Sequence, residues 1–358
     1  MRYTLFITSL WVAALLSAVG CEEMEQGAQA PNIIDMSSEG TSVQAGEMIG
    51  DADSESEREE LADTGVIDTG GTDIGGTDIE MNTDLFDMNM GGSQPLELNK
   101  SYKRGIAYGF NSLADFEALS SGVSWWYNWS PSYNSPIAES YETLQVDWVP
   151  MTWNGNNPDQ IRAFLDEHPE VRYLLTYNEP NFQDQANLTP AYAASIWPIF
   201  EEIAEEYDLE LVGPALNYCG GCVVVEGAPI GSNFIIWMDM FLDEFQAQFG
   251  REPHMDYTAL HWYDYGLEDQ VDEMVMRYGK PLWLTEFALW RSEDWATDEL
   301  ERQWLLDMVS FLEAHPYVYR YAWFTGRRPD FPKINLLAED GALTPLGEAY
   351  INAPYYDE

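Results

Sequence analysis

Residues 101–358 predict a (β/α)8 barrel, an α/β fold, and two patterns carry that prediction. From Ser101 onward, short apolar, β-prone runs alternate with longer amphipathic stretches, the texture of repeated βα units. Two of those runs, residues 171–179 and 281–286, end on a glutamate, Glu179 and Glu286. In barrels of this class the chemistry sits at the C-terminal ends of the strands.

Taken in order, residues 104–110 read as the first strand and residues 115–119 as the start of a helix. Val123-Ser124-Trp125-Trp126-Tyr127 is the second strand. Residues 145–153 give the third, followed by a helix over 158–168. The fourth runs from Val171 to Glu179, where Pro180 removes a backbone donor and is expected to hold Glu179 extended. Residues 190–207 have helical spacing, and 210–214 form the fifth strand. A strongly amphipathic helix covers 233–249, and 257–263 the sixth strand. Residues 268–278 are helical, the seventh strand ends at Glu286, 298–314 are helical, and 318–324 close the set as the eighth strand.

The upstream part has a different texture. Residues 1–20 read as a lipoprotein signal peptide: Arg2 supplies a positive start, and residues 5–16 form an apolar stretch too short to span a bilayer. It closes on Ala18-Val19-Gly20-Cys21, small residues before a cysteine, as in a bacterial lipobox. The expectation is cleavage before Cys21, lipidation of its thiol and display at the bacterial cell envelope. Residues 21–100 hold about twenty acids against few bases, with repeats such as Gly71-Thr72-Asp73-Ile74, and read as a disordered acidic linker.

The chain carries 62 acidic and 16 basic residues, a net charge of −46. That balance excludes nucleic acid and anionic membrane surfaces as partners, leaving a lipid anchor as the membrane contact. Neutral polymers meet no such objection. The 14 tryptophans and 21 tyrosines suit a cleft for sugar rings, although some must fill core. Cys219 and Cys222 remain after Cys21, and an exported compartment favours a disulfide between them over a redox pair.

Two strand-end carboxylates are the minimum machinery of a glycosidase, one acting as general acid and one ionised. Neither metal nor cofactor is expected. Asn178 precedes Glu179 and can both donate and accept hydrogen bonds. His261 and Tyr263, two apart on one strand, share a face, and either could donate to Glu286. Tyr108, Trp126, Trp129, Trp153, Phe182, Trp290 and Trp323 lie at or just beyond strand ends and are candidates to pack against sugar faces; about half are expected to line the cleft.

An ordered set of short pieces then points to a family: Arg104-Gly105-Ile106-Ala107-Tyr108, Trp125-Trp126-Tyr127-Asn128-Trp129, Val149-Pro150-Met151-Thr152-Trp153, Asn178-Glu179-Pro180-Asn181, His261-Trp262-Tyr263, Trp283-Leu284-Thr285-Glu286-Phe287 and Tyr321-Ala322-Trp323-Phe324. With these pieces the chain resembles the Asl1-like glycoside hydrolases, glycoside hydrolase family 128. The resemblance implies a TIM barrel and endo-acting, retaining hydrolysis of β-1,3-glucan; the protein is expected to be a monomer. It implies Glu179 as acid/base, Glu286 as nucleophile and Asn178 as the residue that binds the sugar 2-hydroxyl. The competing readings are a related barrel hydrolase on mannan or xylan, and a catalytically silent glycan-binding lipoprotein.

Overall fold

A computed structural model describes residues 99–356 apart from 111, 134–136, 138–139 and 291–296. The leader, Cys21 and nearly all of the acidic tract lie outside the described residues. The strands are β1 (Arg104–Ala107), β2 (Trp125–Tyr127), β3 (Asp147–Trp148), β4 (Met151–Trp153), β5 (Tyr173–Tyr177), β6 (Glu210–Leu216), a small hairpin of β7 (Val224–Val225) and β8 (Ala228–Pro229), β9 (Tyr257–Trp262), β10 (Leu282–Phe287) and β11 (Val318–Trp323). All except the hairpin form one parallel sheet in the order β3-β2-β1-β11-β10-β9-β6-β5-β4. The two ends of that run are one stretch of chain, interrupted only by Val149-Pro150. Val149 N–H still bonds Trp126 O (3.1 Å) and Pro150 O accepts from Leu175 N–H (3.0 Å). The sheet therefore closes on itself, and counting β3 and β4 as one strand gives the eight expected positions. Pro150 has no N–H to give the ladder, which accounts for the break.

The helices are α1 (Leu113–Ser120), α2 (Pro158–Leu165), α3 (Pro190–Ile196), α4 (Pro198–Tyr207), α5 (Phe234–Phe249), α6 (Leu267–Tyr278), α7 (Asp298–Ala314) and α8 (Pro345–Ile351). Side-chain caps start several of them: Ser112 accepts from Asp115 N–H, Thr189 from Tyr192 N–H and Thr297 from Leu300 N–H. The single helix expected over 190–207 is two helices, because Pro198 interrupts the backbone ladder after Trp197. The sequence reading did not include α8 or the β7–β8 hairpin.

The barrel interior is packed. A Cβ on Gly105 would lie 2.3 Å from the Trp125 ring, so only glycine lets the first strand pass that indole. At the N-terminal mouth the buried Arg320 guanidinium sits 5.0–5.8 Å from the ring centres of Tyr102, Trp125, Tyr173 and Trp283, and donates to Asp147 (2.8 Å). The chain enters at this same end. Lys100 Nζ donates to Ser120 O and Leu144 O, and Lys103 Nζ to Glu313 O and His315 O.

Outside the barrel wall, Arg104 of β1 is buried against α7 and α8. It donates to Tyr321 Oη (2.9 Å), Glu313 Oε1 (3.0 Å), and the carbonyls of Tyr350 (2.8 Å) and Ala353 (3.0 Å). One guanidinium thus joins the first strand to the last helices. Removing it leaves the buried Glu313 carboxylate without a counter-charge, held only by the Tyr321 hydroxyl (2.5 Å), and takes the donor from several carbonyls. Arg104→Ala is expected to cost about 3–5 kcal/mol, the usual penalty for breaking a buried ion pair. Chemical denaturation monitored by far-UV circular dichroism measures this, and a loss below 1 kcal/mol would contradict it.

Candidate active site

Both glutamates reach the C-terminal mouth through departures from regular backbone. Asn178 N–H donates to Trp153 O and Glu179 N–H to Ala215 O, each at 2.8 Å, which stitches the turn after β5 to the strands on either side. Phe182 N–H then donates back to Glu179 O (3.0 Å). Held this way, Glu179 has φ +43°. The extended geometry expected before Pro180 is therefore not adopted; the tertiary hydrogen bonds override the local preference. A left-handed residue other than glycine costs about 1–2 kcal/mol, and such residues concentrate at functional sites. On β10 the register against β9 slips: Leu284 pairs with Leu260, but Glu286 pairs with His261. Two residues of β10 advance against one of β9, a bulge, and bulges re-aim side chains beside active sites.

Glu179 and Glu286 are 7% and 4% exposed. One carboxylate oxygen of each, with a ring nitrogen of His261, lies within 4.8 Å of the others. Glu286 Oε1 accepts from Tyr127 Oη (2.9 Å) and Trp129 Nε1 (2.7 Å), and its Oε2 accepts from Tyr263 Oη. Glu179 Oε1 accepts from Asn217 Nδ2 (3.0 Å). The fully buried His261 bridges the pair, with Nδ1 2.8 Å from Glu179 Oε1 and Nε2 3.5 Å from Glu286 Oε1 and 2.9 Å from Thr285 Oγ1. No described residue hydrogen-bonds Glu179 Oε2.

Burial raises Glu286 above the ordinary carboxylate value; His261 opposes this, the Glu179 charge adds to it, and the Tyr263 and Trp129 donors oppose it. His261 is held above its usual value. Burial works against its charged form, but the charge of Glu286 and the hydrogen bond and charge of Glu179 outweigh burial. Burial raises Tyr127 and Tyr263, and the charge of Glu286 adds to this, so both remain donors at neutral pH. The site is a carboxylate met by three fixed donors, facing a second carboxyl with one free oxygen. Such a pair can supply a nucleophile and a proton donor to one bond.

Of His261 and Tyr263, the two candidate donors to Glu286, Tyr263 makes that hydrogen bond; His261 bonds Glu179 and Thr285 and meets Glu286 only at ion-pair distance, 3.5 Å. Trp129, half-buried, bonds Glu286 directly. Trp153 sits at the end of β4 beside the Asn178 turn, and Trp290 caps the Tyr263 loop, stacked on Phe331. Tyr108 is buried, its hydroxyl accepting from Arg327 (3.3 Å). Phe182 is buried against the Cys219–Cys222 pair, which is disulfide-bonded. Asn178 is buried with Oδ1 unpartnered.

Two expected sugar contacts need correction. Trp126 is fully buried between barrel and outer layer, packed on Phe116 and Trp148. Trp323 is fully buried too, with Nε1 donating to Ile334 O and its ring packed on Phe287. Both side chains alternate outward on their strands, so neither presents a face to a ligand. Tyr127, Thr285 and Asn217 were missed. Alternation along Trp125-Trp126-Tyr127 is the signal that places Tyr127 inward with Trp125. No sequence pattern marks Asn217. A cleft of about 410 Å3 lies at the opposite mouth, around Arg320, and is lined by neither glutamate.

Residues 105–350 match the family model described as "Glycosyl hydrolase catalytic core". Among solved structures, a glycoside hydrolase family 128, subgroup II, endo-β-1,3-glucanase of Pseudomonas viridiflava is 44% identical, with a TM-score of 0.66 over 72% of this chain and 100% of that one. The corresponding subgroup II enzyme of Sorangium cellulosum is 37% identical, with a TM-score of 0.62 over 71% of this chain and 100% of that one. Alkali-sensitive linkage protein 1 of Schizosaccharomyces pombe is 26% identical over 70% of this chain, and the match spans 45% of the yeast protein's length. With the ordered motifs, the closed barrel and the paired glutamates at its mouth, the chain belongs to the glycosyl hydrolase catalytic core family, as an Asl1-like glycoside hydrolase of family 128.

Proposed function

We propose that the protein is a retaining endo-β-1,3-glucanase. The observation that carries this reading is the closeness of the two buried carboxyls, one oxygen of each lying within 4.8 Å of one of the other. Retaining glycosidases hold their carboxyls about 5–5.5 Å apart, whereas inverting ones leave about 6.5–9.5 Å for a water. The substrate class is supported by the Pseudomonas and Sorangium enzymes, both described as endo-β-1,3-glucanases.

In this mechanism Glu286 attacks the sugar C1 while Glu179 protonates the departing glycosidic oxygen through its free Oε2. The C–O bond breaks and a glycosyl-enzyme forms with inverted C1. Water, deprotonated by Glu179, attacks C1 and inverts it again, so the product keeps the β configuration. Tyr127, Trp129 and Tyr263 hold the Glu286 charge before attack. The unpartnered Asn178 Oδ1 is available to a sugar hydroxyl.

Glu179→Gln is expected to lower kcat/KM on laminarin by about 10²–10⁴-fold, the usual contribution of a general acid. A 2,4-dinitrophenyl laminaribioside, whose leaving group needs no proton, should lose far less. Wild-type laminarin turnover in the variant would refute the role. Parallel reducing-sugar assays on mannan and xylan test the other hydrolase reading, and release from none of the three would favour a silent binder.

Proton NMR of early hydrolysis should show the β-anomer first, and a 2-fluoro laminaribioside trap should label Glu286 alone. An initial α-anomer, or a label elsewhere, overturns the double displacement.

We also propose that Cys21 carries a lipid that holds the protein at the cell envelope, on the evidence of the apolar leader and the small residues before Cys21. Cys21→Ser should move the protein from the detergent-soluble membrane fraction to the soluble fraction. Unchanged membrane fractionation would rule the anchor out.

A further inference from the structure

The loop that follows β6 is bound to the Glu179 turn along its whole length. Asn217, the first residue after that strand, is 6% exposed and donates from Nδ2 to Glu179 Oε1 (3.0 Å). Its backbone oxygen accepts from Nδ2 of Asn181 (2.5 Å), two residues beyond Glu179. Farther along, Gln183 N–H donates to Gly221 O (2.9 Å), Gln183 Nε2 to Cys222 O (2.7 Å) and Val223 N–H to Asn181 O (2.8 Å). Phe182 forms an isolated bridge with Cys222 and packs against both sulfur-bearing residues. The Cys219–Cys222 bond closes this loop. Apart from the Ala215 contact made by the Glu179 backbone, every attachment between the two loops lies between Asn217 and Val223.

We propose that Asn217 is the positioning residue for the Glu179 proton donor, and that the Cys219–Cys222 disulfide is the clasp that keeps Asn217 in register. The inference rests on the acid/base reading of Glu179. Asn217 holds Oε1, so the carboxyl plane is fixed with Oε2 directed at the leaving group. Held from one side only, by His261, the carboxyl could rotate about its terminal torsion, which is broad and two-fold for glutamate. Misplacement by about 1 Å at a reacting group costs on the order of 10²-fold. The clasp can be opened by a dithiol: its two thiols give up two protons and two electrons, the S–S bond breaks, Cys219 and Cys222 become thiols, and the reductant closes to a cyclic disulfide.

The test separates positioning from stability through the leaving group. The full chain is assayed for kcat/KM, which reports glycosylation, on laminarin and on 2,4-dinitrophenyl laminaribioside. Asn217→Ala should lose about tenfold or more on laminarin, a fraction of what a general acid supplies, and less than twofold on the aryl glycoside. Asn217→Asp, which keeps the shape and replaces the donor with an acceptor, should behave alike and serves if the alanine variant fails to fold. The Cys219→Ala/Cys222→Ala pair, and wild type in dithiothreitol with thiol titration to verify opening, should reproduce the same selective loss with an unchanged far-UV spectrum. Equal losses on both substrates, or laminarin activity within twofold of wild type in both Asn217 variants, overturns the positioning role. Wild-type laminarin activity in the cysteine pair overturns the clasp. If instead Glu179→Gln retains laminarin activity, it is the acid/base reading that fails, and that control is run beside the others.

Discussion

Two carboxyls buried side by side are the constraint that the rest of the barrel mouth answers. Within 4.8 Å and at an effective dielectric of about 20, two like charges repel by at least roughly 3 kcal/mol, before any cost of removing them from water. His261 offsets this by lying between them with a nitrogen toward each. It is completely buried, and its own charge is sustained only by its two neighbours. Tyr127, Trp129 and Tyr263 supply the remaining compensation at Glu286. His261 and Glu286 each respond to the other and to the Glu179 charge, so loss of Glu179 changes the protonation of both.

Backbone irregularity is the means by which that cluster is assembled. Regular β5 and β10 would alternate side chains strictly between barrel interior and helix layer. The bulge at Thr285 and the left-handed Glu179 break that alternation at the two points where a carboxylate must face the opening. Each irregularity is supported by neighbours on both flanks: Trp153 and Ala215 for the Glu179 turn, β9 and β11 for β10. The barrel supplies rigidity so that its rim can depart from ideal geometry.

Much of this was legible beforehand. The eight strand positions, the two glutamates and the His261–Tyr263 pair follow from apolar periodicity and from Glu ending two apolar runs. What escaped is instructive. Trp126 and Trp323 are aromatic, near strand ends and motif-bearing, but a tryptophan facing the helices has the same local signature as one facing a ligand; only the side to which its strand turns it distinguishes them. Asn217 lies in a loop whose role depends on contacts with residues nearly forty positions away, which no local pattern encodes. The split at Trp197-Pro198 could have been read from Pro198 itself, since an internal proline ends a helical ladder.

The entry of the chain at the N-terminal mouth fixes an orientation. Lys100 and Lys103 fasten residues 99–103 to the barrel beside Arg320, at the end opposite Glu179 and Glu286. Residues 99–103 thus grip the barrel by its base. The rim that bears Glu179 and Glu286 is then the part farthest from that grip, as the lip of a cup is from its stem. An extended molecule lying across that rim meets none of residues 99–103, because they sit at the other mouth.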